Sequence, residues 1–556
     1  MGENTHEHNA GPHAGERATV PLPPMAPASW GVAAEARPLS EDVRALVAEL
    51  LGLPAEGTPA GGAHIPAPRP TRLAEADLAA LGGIVGAGNV TVDDEQRLRR
   101  ARGKSTPDLL AWRHDPDAPA PDAVVAPRGE DDVVALLDWC GRQGVAVVPF
   151  GGGTSVVGGL DAEADASAGG HRAVVSLDLA HLDGLTDLDP VSGEATLGAG
   201  VTGPRAEELL RAHGFSLGHF PQSFRYATVG GFAMTRSSGQ NSAGYGRFDE
   251  MVRGLTVVTP AGVMRAGRAP ASAAGPDLRQ LLLGSEGAFG VCTSVRLRVH
   301  PVPEVVEHEA FTFPDFATGA AALRAVEQTG AGPTVIRLSD ETETGVNLAM
   351  GEKIGSTGDA APGCLCVTMY EGTAGQVRAA HERTREVLLA HGGESLGARP
   401  AEEWEHGRFG APALRDALLD AGALCETLET ATDWSSLGAL RDTVVATLTA
   451  ELEATGTPAL VMCHISHVYP TGASLYFTVV AGQRGSDPAA QWRGVKRATT
   501  AAIQAAGGTV THHHAVGRDH REFMTEEIGA PGVAVLRAVK RTLDPHGVCN
   551  PGVLIP

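Results

Sequence analysis

Cysteine is sparse and unpaired in this chain. Seven residues are scattered over 556, and only Cys364 and Cys366 come close together, as Cys-x-Cys. No second pair completes a zinc site, so no metal is expected, and this pair reads as small buried residues of a strand. Scattered free thiols fit a reducing, cytoplasmic setting. No run approaches the roughly 20 apolar residues that a spanning helix needs. The N-terminus lacks a cationic start followed by an apolar core, so no secretory signal is visible. Positive charge is short as well: Lys and Arg total 44 against 66 Asp and Glu, a net charge of −22. That balance argues against nucleic acid and anionic membrane surfaces as main partners. An anionic small substrate stays open, because a local Arg/His pocket can oppose the global charge. Lysine is scarce while Arg, Ala and Gly abound, which we read as the coding bias of a GC-rich bacterial genome.

The length allows two to four domains. Residues 1–28 are rich in Ala, Pro, Gly, His and Glu without periodicity and read as a disordered tail. Residues 29–115 form a helical region with a Pro/Gly/Ala linker, including a helix capped by Ser40 and running to Leu51. The basic run Arg97 to Lys104 within it reads as a solvated face. From 116 to 303 the pattern is α/β: a strand at Val124–Val125, a helix from Glu130 ended by Gly144, and strands at Val145–Val148, Ala173–Leu177 and Glu194–Gly198. Pro301 and Pro303 mark a boundary. Residues 304–525 form a second, α+β unit, and 526–556 a helix with the tail Asp544-Pro545 to Asn550-Pro551-Gly552, expected to pack back on the first unit.

Three glycine-rich elements carry the chemistry. The loop Pro149-Phe150-Gly151-Gly152-Gly153-Thr154-Ser155 follows a buried strand and has almost no side chain on it, so several N–H groups can converge on a phosphate or pyrophosphate. A lone loop of this kind is equally well a tight turn. Two further clusters change that: Gln222 and Ser223 with Thr228, Gly230, Gly231, Thr235, Arg236, Ser237 and Ser238, and then Glu286-Gly287 to Gly290-Val291. Core-forming sequence does not look like this; backbone lying along an extended ligand does.

In order and spacing these elements resemble the flavin-binding fold of vanillyl-alcohol oxidase-like proteins. Within it the chain resembles the alkyldihydroxyacetonephosphate synthase family from about Trp30 to the end. The resemblance implies a two-subdomain FAD-binding domain over 116–303 and an α+β substrate (cap) domain over 304–525. It implies that the three clusters hold FAD, that Arg415 contacts substrate, that Tyr476 moves a proton, and that Arg337 with His512, His513 and His514 is needed for activity. The implied reaction exchanges the acyl group of an acyl-dihydroxyacetone phosphate for a long-chain fatty alcohol, without net redox change. Members tend to be homodimers, and lipid substrates imply at most peripheral membrane contact. Relatives with covalent flavin often carry His where this loop has Thr154, so FAD is expected to be held without a covalent bond.

Two chemical expectations follow. Tyr476 can act as a base only if cationic neighbours lower its pKa from about 10; Arg337, Arg415 and the histidines would supply that field. If the histidines lie on a strand they alternate faces, with His512 and His514 toward the site. The main rival is an FAD-linked 2-hydroxy-acid oxidoreductase. Such relatives bind a metal through two histidines and a glutamate; here His467 remains, but Tyr476 and His513 stand where the other two ligands would be. A flavin-holding protein without turnover is the rival of another class, and it has no need of the Tyr/His/Arg set.

Overall fold

The computed structural model describes residues 24–32, 35–36, 38–53, 65, 67–114, 118–161, 170–330, 332–349 and 363–556. Most of the tail expected to be disordered lies outside these residues. Its last part does not behave as expected: Met25 is buried, and Lys104 Nζ donates to the carbonyls of Ala26 and Pro27, both at 2.7 Å.

The first unit holds two sheets. In one, Ala123–Val125, Ala173–Asp178 and Val145–Phe150 run parallel, with Val90–Thr91 antiparallel at the edge. Parallel strands are covered on both faces, which is why Val145 to Val148 is an unbroken apolar run. The helix Glu130–Gln143 starts on three acids, turns Val133, Leu136, Leu137 and Cys140 inward, and stops at Gly144 in the left-handed conformation. The second sheet is antiparallel, in the order Leu185–Asp189, Glu194–Gly198, Val291–Arg298, Val252–Thr259, Gly262–Ala266. The tail returns to this unit: Val147 N–H donates to Val548 and its carbonyl accepts from Asn550, each at 2.8 Å.

The second unit is a seven-stranded antiparallel sheet, ordered Glu394–Gly397, Val305–Phe313, Cys364–Gly372, Val335–Ser339, Ala459–Ile465, Gly472–Gly482, Ala423–Asp433. Its alternation decides the site. Ile336 and Leu338, Cys463 and Ile465, and Leu475 and Phe477 pack into one core with the helical row Leu437, Leu440, Val444, Leu448 and with Trp492. The residues between them, Arg337, His464 and Tyr476, therefore fall on the opposite face. Cys364 and Cys366 are fully buried strand residues of this core.

The basic run is not a solvated face. Arg97 and Lys104 are 3% exposed. Arg97 donates to the carbonyls of Pro121 and Arg69, and Arg100 pairs with Asp178. The proline-rich segment from Pro24 to Pro27 cannot satisfy its own carbonyls in a helix; Arg99 donates to those of Pro24 and Met25, and Lys104 to those of Ala26 and Pro27. Among the described residues, no helix is long and apolar enough to cross a membrane.

Candidate active site

A cavity of about 390 Å³ lies between the two units. All the flavin-site candidates except Arg236 and Val291 border it, as do Arg337, Arg415, Tyr476, His513 and His514. Arg236 sits in the left-handed conformation past the end of the helix Val229–Thr235 and turns away, donating to Asp249 and to the carbonyls of Leu283 and Gln280. Val291 is the next residue after Gly290, but it opens a core strand and is fully buried.

The first wall is backbone. A Cβ on Gly151 would stand 2.3 Å from Thr228 Oγ1, and one on Gly152 2.0 Å from the Tyr226 carbonyl, so only glycine lets the two segments touch. Gly153 takes a positive φ of 68°. Among the described residues, the amides of Gly151 to Thr154 find no acceptor. Gln222 Nε2, Gln240 Oε1 and Asn550 Oδ1 are buried at this cavity without a partner. Buried polar groups without partners are rare, and a row of them beside free amides fits a dinucleotide carrying a pyrophosphate and a heteroaromatic ring. The residues present thus fit FAD. Thr154 borders the cavity and offers no ring nitrogen for a flavin bond.

The facing wall is side chain. Tyr476 pairs across strands with His464 and with Glu429. It stacks on His464 at 4.8 Å and on His513 at 5.9 Å between centroids. Arg337 donates to Glu343 Oε1 at 2.8 Å and to His464 Nδ1 at 2.9 Å. Burial opposes the charge on Glu343, but Arg337 and His464 overcome it and hold the carboxyl well below its usual range. Arg415 donates to the Lys104 carbonyl at 2.6 Å and reaches Asp416 Oδ1 at 3.2 Å. The Asp416 carboxylate also receives the Trp30 amide, which sets that indole in the cavity wall.

The histidine run departs from the expectation twice. It is not a strand, and the rings in the cavity wall are His513 and His514, with His512 behind them. The cause is Glu429, 4% exposed, which accepts the amides of His512, His513 and His514 and the Thr511 hydroxyl. One carboxylate receiving three successive amides bends the chain out of a β ladder. Burial opposes its charge, and the His513 and His514 rings with the Thr511 hydroxyl outweigh that and hold it at about 2.

The expected base also changes. Burial pushes the Tyr476 phenol up to about 12, with Glu426 and Glu429 adding to it; a hydrogen bond with Thr427 and, more weakly, the charge of Arg415 oppose this. Near neutral pH the histidines give no cationic field, because burial pushes His513 down to about 3 and lowers His514 and His464. The resting wall is one neutral phenol among neutral imidazoles.

His464, Glu343, Glu426 and Glu429 belong to this wall and were not legible in the sequence as site residues; a histidine or glutamate inside an apolar strand reads as core until the register is known. His467 faces the cavity too, its Nδ1 bonded to Ser238 Oγ at 3.0 Å and Ser242 Oγ at 2.7 Å. Nitrogens of His467, His512 and His513 fall within 4.8 Å of one another. The Nδ1 atoms of His512 and His513 are engaged with each other at 2.9 Å.

The pattern described as "FAD binding domain" matches residues 121–267, and that of "FAD linked oxidases, C-terminal domain" matches residues 302–554. The chain is 31% identical over 481 residues to an alkyldihydroxyacetonephosphate synthase of Dictyostelium discoideum, covering 84% of this chain and 78% of that protein. A solved alkyldihydroxyacetonephosphate synthase superposes with a TM-score of 0.81 at 27% identity, over 95% of this chain and 98% of the other. A mitochondrial D-lactate dehydrogenase (cytochrome) of Arabidopsis thaliana is 29% identical over 447 residues, covering 78% of this chain and 74% of that protein.

Proposed function

Because the chain belongs to the alkyldihydroxyacetonephosphate synthase family, we propose that its cavity exchanges the acyl group of an acyl-dihydroxyacetone phosphate for a fatty alcohol, with FAD held without a covalent bond. The enzyme is FAD-dependent. When bound, FAD supplies a ring that takes up and returns electron density at the ketone fragment, so the exchange needs no external oxidant.

The chain's own residues then divide the work. Arg415 borders the cavity beside Lys104 and offers a fork suited to a phosphate. Arg337 is tied to Glu343 and His464 and fixes the His464 ring under Tyr476. A proton must leave the carbon beside the ketone and another must be handled as the acid departs. We assign both tasks to the stacked pair of His513 and Tyr476, the neutral imidazole accepting and the neutral phenol donating. Trp30 and the apolar residues near it suit long-chain substrates, which would be drawn from a membrane surface by transient contact.

The observation that carries this reading is the Tyr476 ring stacked between His464 and His513 above a backbone cradle. The hydroxy-acid reading needs a metal where this wall has a phenol. The test presents the flavoprotein with palmitoyl-dihydroxyacetone phosphate plus hexadecanol, and separately with D-lactate and glycolate. Ether product without net flavin reduction is expected from the first and no reaction from the second. Reduction by a hydroxy acid with no ether would overturn the assignment.

A further inference from the structure

The exchange leaves a proton behind. An acyl ester and an alcohol give an ether and a carboxylic acid. The acid ionises near pH 4–5 and leaves as carboxylate at neutral pH, so the alcohol's hydroxyl proton must leave a buried cavity once per turnover.

We propose that His513, His512 and Tyr469 form a proton-conducting chain from the cavity to the outer surface, and that His512 and Tyr469 serve the reaction through it. This rests on the synthase reading above. His513 borders the cavity. Its Nδ1 lies 2.9 Å from Nδ1 of His512, whose Nε2 lies 2.6 Å from the Tyr469 hydroxyl. His512 is thus threaded through both ring nitrogens, the requirement for passing a proton rather than storing one. His512 is buried and does not border the cavity, so direct substrate contact does not explain it. Tyr469 is half-buried and borders a separate open groove with Asp433, Thr509, Glu526 and Glu527. Its phenol also meets Arg247, which pairs with Asp249 and whose amide donates to exposed Glu250. Glu429 fixes the three histidine amides and keeps the rings in line.

The step balances without any redox partner. His513 accepts the proton at Nε2 and releases the one on Nδ1 to His512 Nδ1. His512 releases its Nε2 proton to the Tyr469 oxygen, and Tyr469 gives its hydroxyl proton to water. Two variants of the flavin-loaded protein test this. Tyr469→Phe removes the outer link. His512→Gln keeps volume and hydrogen bonding but cannot relay. Both should lower kcat by about tenfold or more, leave KM for the acyl ketone phosphate and the flavin content unchanged, and raise the solvent deuterium isotope effect on kcat. Added imidazole should restore part of the rate in Tyr469→Phe. A purely structural role would lower flavin content and leave the isotope effect alone, which would overturn the relay. Wild-type rates in His512→Gln would overturn it as well, while the synthase reading stands on ether formation by the wild type. Loss of activity on chelation, restored by zinc, would assign the histidines to a metal and overturn it. No ether from the wild type would overturn both.

Discussion

One wall of the cavity, Pro149 to Ser155 against Tyr226 to Gly231, presents backbone; the wall opposite, built on Arg337, His464, Tyr476 and His513, presents ionisable side chains. The first is defined by what is missing from it. Side chains are absent because neighbouring segments leave no room, and the amides are left free for a ligand. The second is defined by burial. A phenol pushed up and imidazoles pushed down stay neutral in the resting cavity. Holding the cofactor and handling the proton are therefore separable, and each wall should fail in its own way.

The largest separation is expected from Tyr476→Phe. Turnover should fall by about 10²- to 10⁴-fold, with flavin content and thermal midpoint unchanged, measured by ether formation and absorbance. Flavin loss in this variant would break the division between the walls. The converse is Gly152→Ala, whose Cβ would stand 2.0 Å from the Tyr226 carbonyl. It should purify largely without flavin and be less stable by a few kcal/mol, on the order of other strained-backbone changes, as read by denaturant unfolding. Arg415→Lys keeps the charge but loses the fork. KM for the ketone phosphate should rise about tenfold with flavin content unchanged, since a charge-assisted hydrogen bond contributes roughly 1.5–3 kcal/mol.

A pH profile sharpens the backbone wall. Glu286 is buried at the cavity and takes the Gly517 amide, and burial pushes its carboxyl up to about 8. Its folded-state pKa is above the unfolded value. Its contribution is therefore full at acid pH and is lost as pH rises from about 4.5 through 8, at up to about 1.4 kcal/mol per unit. Glu286→Gln should flatten the fall in thermal midpoint between pH 5 and 8. An unchanged pH profile would show that Glu286 is ionised in the folded protein.

The difference between the walls also explains what could be read from the sequence. The backbone wall was legible because its cause is local: Gly151 to Gly153 follow a buried strand, and the Thr228–Gly231 and Glu286–Gly290 elements are contiguous. Tyr476, Arg337 and Arg415 were reached by resemblance. His464 and Glu343 were not, because only the register of strands far apart in the chain brings them together. The bend at His512 to His514 was hidden for the same reason, since Glu429 lies about 80 residues away. The basic run was misread because its acceptors at Pro24 to Pro27 lie some 75 residues upstream.

The most direct measurement uses hexadecanol labelled with oxygen-18 and unlabelled palmitoyl-dihydroxyacetone phosphate, followed by mass spectrometry of both products. The label is expected in the ether and not in the released fatty acid, with one proton released per ether formed. Label in a fatty-acyl ester, or no product from an enzyme whose flavin is reduced by a hydroxy acid, would contradict this.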